Sequence, residues 1–166
     1  MSNMRKPTIY IEMSIISYLA ARPSPELTTA ACQQVTVNWW ESHRKSYNVV
    51  TSALVFAESR EGNPGIARKR IELLRGIPVL KTTEDVKELA RVLITEGALP
   101  KKAQADALHI AIATAHKVDY LLTWNCRHID NPATKPLVRQ VCASHGYICP
   151  EICTPFEIME LDEYEE

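Results

Sequence analysis

The chain has 166 residues, of which 46% are hydrophobic, and its formal net charge at pH 7 is −1. This length fits one domain with its own core, and the composition excludes disordered and fibrous proteins. The near-zero charge excludes nucleic-acid binding driven by bulk positive charge alone, but it allows a local basic surface beside an acidic site.

The predicted elements alternate between short apolar strands and helices along the whole chain. The strands are predicted over residues 8–12, 47–52, 77–81, 119–124 and 146–150. Four helices are predicted over residues 13–21, 65–76, 101–117 and about 135–145. Three more are predicted from their capping residues: one from Thr28 or Thr29 to about Ser46, one that follows Ser52, and one from Thr82 or Thr83 to about Glu96. This alternation predicts one α/β domain with a five-stranded, mainly parallel sheet and helices on both faces.

The domain is expected to occupy residues 1–166, with its core at about 8–150 and an acidic C-terminal tail at about 157–166. The first apolar stretch is interrupted by Glu12, which argues against a secretory signal, and no apolar run approaches the ~20 residues of a membrane span. The cysteines are odd in number and form no CxxC pair, as is typical of free thiols in a reducing cytoplasm. We therefore expect a cytoplasmic protein with no membrane segment.

Polar residues stand where the predicted strands end. Glu12 ends the first strand and Asn125 follows the fourth, while Glu58 and Asp106 lie on helices near the same edge of the sheet. Ligands of open parallel sheets bind beyond the carboxyl ends of the strands. A buried carboxylate needs a partner, and neither apolar helical segment offers a lysine or arginine, so Mg²⁺ or Mn²⁺ would supply the missing charge. Carboxylates around such ions are typical of phosphodiester cleavage.

Each of these residues also has a simpler explanation when it is taken alone. Glu12 could reach solvent at a strand end, and Glu58 could be an ordinary charge on a helix face. Asp106 could interact with the helix dipole in a first turn, and Asn125 could form a turn. Only convergence on one edge of the sheet would separate these explanations from a shared site.

Four segments, YIEMSIISYL, ALVFAE, ADALHIAIA and YLLTWNCRHIDNP, resemble in order the four motifs of the PIN-domain family. They look most like the VapC-like toxin ribonucleases of type II toxin–antitoxin pairs, and the resemblance spans about residues 8–150. It implies a PIN-like three-layer fold and Mg²⁺- or Mn²⁺-dependent cleavage of RNA. It also implies a cognate antitoxin that blocks the acidic site, and a homodimer. The catalytic and metal-binding positions of the four motifs fall on Glu12, Glu58, Asp106 and Asn125.

Two of these positions differ from the family pattern. The first and the fourth are usually aspartate, whereas Glu12 is one methylene longer and Asn125 is uncharged. One alternative is therefore a PIN-fold protein that binds RNA or a partner protein without cleavage. Alternatively, Asp130, five residues after Asn125, could supply the charge that Asn125 lacks. A small-molecule phosphohydrolase of another α/β class is the other alternative, but no P-loop, GxGxxG or DxD motif favours it.

Several neighbouring residues could support the site. Ser14 matches a small hydroxyl residue of the first motif and could hydrogen-bond Glu12 or a metal-bound water, or it could simply lie in the first helical turn. His109 lies one turn after Asp106, but the preference of Mg²⁺ for oxygen disfavours a ligand role. Phosphate contacts could come from residues that otherwise form a solvated surface, namely Arg68, Lys69, Lys101, Arg127 and His128.

Overall fold

The computed structural model describes residues 5–163, and the side chains among them as far as residue 159. The strands are β1 (Thr8–Ile11), β2 (Asn48–Ser52), β3 (Val79–Leu80), β4 (Tyr120–Leu122) and β5 (Glu151–Cys153). The α-helices are α1 (Met13–Ala20), α2 (Leu27–Asn38), α3 (Ala53–Ser59), α4 (Pro64–Leu74), α5 (Glu84–Thr95), α6 (Gln104–Ala115), α7 (Lys135–Ser144) and α8 (Pro155–Glu163). A π-helical turn, Trp39–His43, and a 3₁₀ turn, Arg44–Ser46, continue α2. None of the helices in this described part is long and apolar enough to cross a membrane.

The sheet has the order β3-β2-β1-β4-β5, and every strand pair is parallel. The chain runs from β1 to β3 in one direction and then from β4 to β5 in the other. Because parallel crossovers are right-handed, this reversal places α1–α4 on one face and α5–α7 on the other. The helix contacts agree, since α1 packs on α2, α3 and α4, whereas α5 packs on α6 and α7. The predicted three-layer α/β fold with a five-stranded parallel sheet is confirmed.

The central strand β1 fixes the position of the residue that follows it. Ile9, Tyr10 and Ile11 are fully buried, and successive side chains of a strand point to opposite faces. A slip of one residue would exchange the two buried faces, so packing on both sides fixes the register. In this register Tyr10 lies between Val50 of β2 and Leu121 of β4. Glu12 is consequently held at the carboxyl edge of the sheet.

The fifth strand lies later in the chain than the sequence predicts. Residues 146–150 are not a strand, because Gly146 adopts a positive φ of 81° that ends α7 and Pro150 has no N–H to donate. Ile148 of this segment is 90% exposed. Pairing with β4 begins only at Glu151, whose N–H donates to the Asp119 carbonyl at 3.0 Å.

The start of α2 also differs from the prediction. The helix is capped by Glu26 and not by Thr28 or Thr29. The Glu26 carboxylate accepts hydrogen bonds from the hydroxyl and N–H of Thr29 and from the N–H of Thr28, and these bonds lower its pKa to about 2. A longer acid has therefore taken the capping role that short hydroxyl residues usually play.

The packed fold continues past residue 150. Helix α8 packs against α2, and its Ile158 is buried. The first part of the segment predicted as an acidic tail is thus helical, while residues 164–166 of that prediction lie outside the described residues.

Candidate active site

The candidate site lies at the point where the strand order reverses. The connections that leave β1 and β4 run in opposite directions, and such a switch point opens a crevice beyond the strand ends. Glu12 follows β1 directly, and Thr123, Trp124 and Asn125 follow β4. The Glu12 N–H donates to the Leu122 carbonyl at 3.3 Å, so the two strand ends stay together through the first site residue.

Glu12 is an oriented, buried carboxylate. It is only 5% exposed and serves as the N-cap of α1. Its Oε1 accepts from the Ser14 N–H at 3.0 Å, from the Thr123 hydroxyl at 2.7 Å and from the Ser14 hydroxyl. Its Oε2 receives no hydrogen bond from the described residues. Glu12 is therefore not a strand-end charge that reaches into solvent, and one of its oxygens remains available.

Asn125 joins Glu12 to Asp106. Its N–H donates to Thr123 Oγ1 at 2.9 Å, and its side-chain Nδ2 donates to Asp106 Oδ1 at 3.1 Å. Its Oδ1 accepts from the His128 N–H at 3.0 Å, and this bond fixes the orientation of the amide. The amide oxygen is therefore occupied by the loop, and the amide nitrogen faces Asp106. An aspartate at this position would instead place a second negative charge against Asp106.

Glu58 reaches the same region through a buried histidine. His109 Nε2 lies 2.7 Å from Glu58 Oε1, and His109 Nδ1 lies 2.7 Å from the Tyr10 hydroxyl. The hydroxyl of Tyr10 is also 2.8 Å from Ser52 Oγ. Burial raises the pKa of Tyr10, and the nearby negative charges of Glu12 and Glu58 raise it further. The Glu58–His109 pair is therefore linked to the central strand β1 through Tyr10.

The three carboxylates have no partner among the lysines and arginines of the described residues. Within residues 5–159, no lysine or arginine forms an ion pair with Glu12, Glu58 or Asp106. Carboxylate oxygens without such a partner match the donor chemistry that Mg²⁺ and Mn²⁺ prefer, so these residues fit a hard cation. In the described side-chain positions, however, no three His, Cys, Asp or Glu residues lie close enough to hold an ion. Glu58 and Asp106 are directed toward histidines instead.

No protein-family model, curated protein or solved structure matches this chain. The PIN-domain resemblance therefore rests on the four sequence motifs. The geometry adds that the motif residues converge. Glu12, Thr123, Asn125 and Asp106 form one hydrogen-bonded series, and Glu58 is bound to His109, one helical turn from Asp106.

The predicted supporting residues occupy different surroundings. Ser14 contacts Glu12 and also accepts from the Trp124 N–H at 2.7 Å, so it ties α1 to the end of β4. His128 Nδ1 lies 3.0 Å from Asp106 Oδ2. Arg127 is exposed on the same loop.

Asp130 does not face the other carboxylates. Its Oδ1 accepts from Lys135 Nζ at 2.6 Å, and the Glu157 side chain lies beside it. Burial raises the pKa of Asp130, while the Lys135 ammonium acts to lower it. The geometry therefore gives Asp130 a structural ion pair and does not support it as a substitute for the charge missing at Asn125.

The predicted phosphate contacts divide between two surfaces. Arg68 lines a groove of about 500 Å³ beside α3 and α4 that begins at Arg60, two residues after Glu58. Lys69 is exposed on the same helix as Arg68. Lys101 lines a separate cleft of about 560 Å³ between α5 and α6. Gln104 and Leu108 of α6 line that cleft, and each is two positions from Asp106 in the chain. They therefore lie on the face of α6 opposite to Asp106, and so does the cleft that Lys101 lines.

Sequence reasoning missed three hydroxyl residues that organise the site. Thr123 holds Glu12, Tyr10 holds His109, and Ser52 in turn contacts the Tyr10 hydroxyl. All three are fully buried. The sequence feature that could have identified them is a hydroxyl group within or beside a buried apolar strand. Such a buried hydroxyl requires a hydrogen-bond partner, which points to a polar site nearby.

Proposed function

We propose that this chain is a PIN-type, divalent-metal-dependent endoribonuclease of the toxin class. The observation that carries the proposal is that Glu12, Glu58 and Asp106 converge on the switch-point edge and have no lysine or arginine partner within residues 5–159. Glu12 is buried and Glu58 and Asp106 are partly buried, and removing carboxylates from water without a permanent positive charge beside them is unfavourable for stability. Hydrophobic residues would avoid that cost. A cluster of this kind is better explained by a cation-dependent activity than by stability.

In this proposal Glu12, Glu58 and Asp106 hold Mg²⁺ or Mn²⁺. When bound, the ion supplies Lewis-acid stabilisation of phosphate charge and lowers the pKa of water. Ser14 and Thr123 hold Oε1 of Glu12 in a fixed orientation. Asn125 holds Asp106 through its amide nitrogen, so its role is to orient a ligand rather than to act as one.

The RNA backbone is proposed to contact the basic residues around this acidic site. Arg60 and Arg68 are exposed, and neither forms an ion pair within residues 5–159. They adjoin the helix that carries Glu58, so phosphates bound there would place the RNA next to the carboxylates. Lys69, Arg127 and His128 would extend this surface.

The proposal also includes a cytoplasmic location, a homodimer and a cognate antitoxin. All five cysteines are unpaired, which suits a reducing compartment. The antitoxin would act by covering the acidic site. The homodimer and the antitoxin follow from the resemblance to toxin-type PIN domains.

The second candidate is a PIN-fold protein that binds RNA or a partner protein without cutting. It is favoured by one specific arrangement, in which Asn125 uses its amide oxygen on the His128 N–H while Glu58 and Asp106 face histidines. If these contacts persist in solution with metal present, the carboxylates would not assemble around an ion.

A cleavage assay separates the two candidates. Purified protein is incubated with mixed RNAs and Mn²⁺, together with a Glu58→Gln, Asp106→Asn double variant. A Glu84→Gln, Asp85→Asn double variant is the matched control, because these two residues lie at the exposed start of α5. We expect the control to cut like the wild type and the site variant to lose roughly 10²–10³-fold in rate.

Two results would contradict the ribonuclease proposal. Equal residual cutting by the site variant and the wild type would mean that the activity does not come from this site. Tight RNA binding by the wild type without Mn²⁺-dependent cutting would support the binding protein instead.

A further inference from the structure

A buried series of hydrogen bonds connects the two ends of α3. The Ser52 hydroxyl caps the helix by accepting from the Val55 N–H at 3.3 Å, and it lies 2.8 Å from the Tyr10 hydroxyl. The Tyr10 hydroxyl lies 2.7 Å from His109 Nδ1, and His109 Nε2 lies 2.7 Å from Glu58 Oε1. The series therefore leaves α3 at its first turn, crosses β1 and α6, and returns to α3 at Glu58.

We propose that His109 and Tyr10 are positioning residues that hold the Glu58 carboxylate with one oxygen fixed and the other directed to a cation. This inference rests on the proposed function for the role of Glu58 as a metal ligand. The relay itself, Ser52–Tyr10–His109–Glu58, rests only on the geometry of the protein.

The carboxylate end of the relay fixes the direction of its hydrogen bonds, because the Glu58 carboxylate can only accept. At the other end, the Ser52 oxygen accepts from the Val55 N–H, and its own proton remains free to be donated. With His109 neutral, Nε2 must carry the ring proton to satisfy Glu58, so Nδ1 must accept from the Tyr10 hydroxyl. The Tyr10 oxygen then accepts from the Ser52 hydroxyl.

The relay restrains a side chain that would otherwise be mobile. The Glu58 side chain is 30% exposed, whereas His109 is 1% exposed and Tyr10 is fully buried. His109 cannot rotate without breaking both of its ring contacts in the core. A rigid donor on Oε1 leaves Oε2 as the oxygen open to a ligand. Carboxylates that bind metals are commonly oriented by such an outer hydrogen bond.

The tautomer of His109 tests the relay without any metal or RNA. We expect ¹⁵N NMR of the histidine-labelled, metal-free protein to show the neutral tautomer with the proton on Nε2. Tyr10→Phe removes the donor to Nδ1 and should change the Nδ1 shift of His109 while the chain stays folded. A wild-type His109 with its proton on Nδ1 would overturn the relay.

Two substitutions of His109 test its positioning role. A glutamine places its amide nitrogen near the position of Nε2, whereas an asparagine places its amide nitrogen near that of Nδ1. His109→Gln therefore retains a donor for Glu58 and His109→Asn does not. By calorimetric titration with Mn²⁺, we expect affinity to fall roughly 10–100-fold in His109→Asn and by no more than a few-fold in His109→Gln.

Unfolding in urea controls for a merely structural effect of these substitutions. If the two variants have equal stability but lose equal Mn²⁺ affinity, the positioning role is wrong. If His109→Asn does not fold, Tyr10→Phe takes its place, and unchanged Mn²⁺ affinity together with an unchanged Nδ1 shift of His109 would overturn the proposal. Failure of the wild type to bind Mn²⁺ would instead contradict the metal site, and the tautomer would still decide the relay.

Discussion

The buried hydroxyl of Thr123 connects Glu12 to Asn125, and replacing Thr123 by valine removes that connection while keeping the shape of the side chain. The hydroxyl donates to Glu12 Oε1 at 2.7 Å and accepts from the Asn125 N–H at 2.9 Å. A hydrogen bond to a charged group contributes about 1.5–3 kcal/mol, and a neutral one about 0.5–1.5 kcal/mol. We therefore expect Thr123→Val to lower the free energy of unfolding by about 2–4 kcal/mol.

Thr123→Ser is the matched control for this measurement. It retains the hydroxyl and loses one buried methyl group, which costs about 1 kcal/mol. If the variants unfold in urea with the same dependence of free energy on urea concentration, their midpoints give the difference in free energy of unfolding directly. The valine variant should also melt roughly 4–16 °C below the wild type for a chain of this size. A valine variant as stable as the serine variant would refute the claim that this hydroxyl anchors Glu12.

Three further predictions concern other parts of the fold and its surface. Because the pKa of Glu26 falls from 4.5 to about 2 on folding, its cap stabilises the protein above about pH 4.5 and loses this effect as the pH falls toward 2. The difference in unfolding free energy between the wild type and Glu26→Gln should therefore shrink between pH 7 and pH 3, and a constant difference would contradict the cap. Lys135→Met should lower the free energy of unfolding, measured with urea, by about 3 kcal/mol, because it leaves the buried Asp130 charge unpaired. Adding Asp130→Asn to this variant should restore part of the lost stability. For binding to single-stranded RNA, the slope of log affinity against log salt concentration should become roughly 0.7 less steep in Arg68→Ala. The same slope should be unchanged in Lys101→Ala.

The position of Glu12 could be predicted from the sequence, but its environment could not. An apolar run that ends in an acid marks a buried strand and the residue at its carboxyl edge. The burial of Glu12 and the orientation of its Oε1 depend on Thr123, which is 111 residues away in the chain. Contacts at that separation leave no periodic pattern in one sequence. The same holds for Glu58 and His109, which are 51 residues apart in the chain.

The errors in the element prediction have local causes. The strand expected at residues 146–150 contains β-favouring residues, but the Gly146 backbone turn and the missing N–H of Pro150 prevent pairing there. The cap expected at Thr28 or Thr29 moved to Glu26, because a longer acid can accept from the same backbone N–H groups. For Asn125, the two roles that the sequence offered as alternatives occur together. Its amide oxygen accepts from the His128 N–H within the turn, and its amide nitrogen contacts Asp106.

The central claim is that Glu12, Glu58 and Asp106 form a cation site, and a Mn²⁺ titration by calorimetry tests it most directly. The wild type should bind Mn²⁺ saturably, and Glu58→Gln and Asp106→Asn should each weaken that binding. Glu61→Gln, an exposed acid three residues from Glu58, should bind like the wild type. Binding that is absent from the wild type, or equal in all four proteins, would contradict the claim.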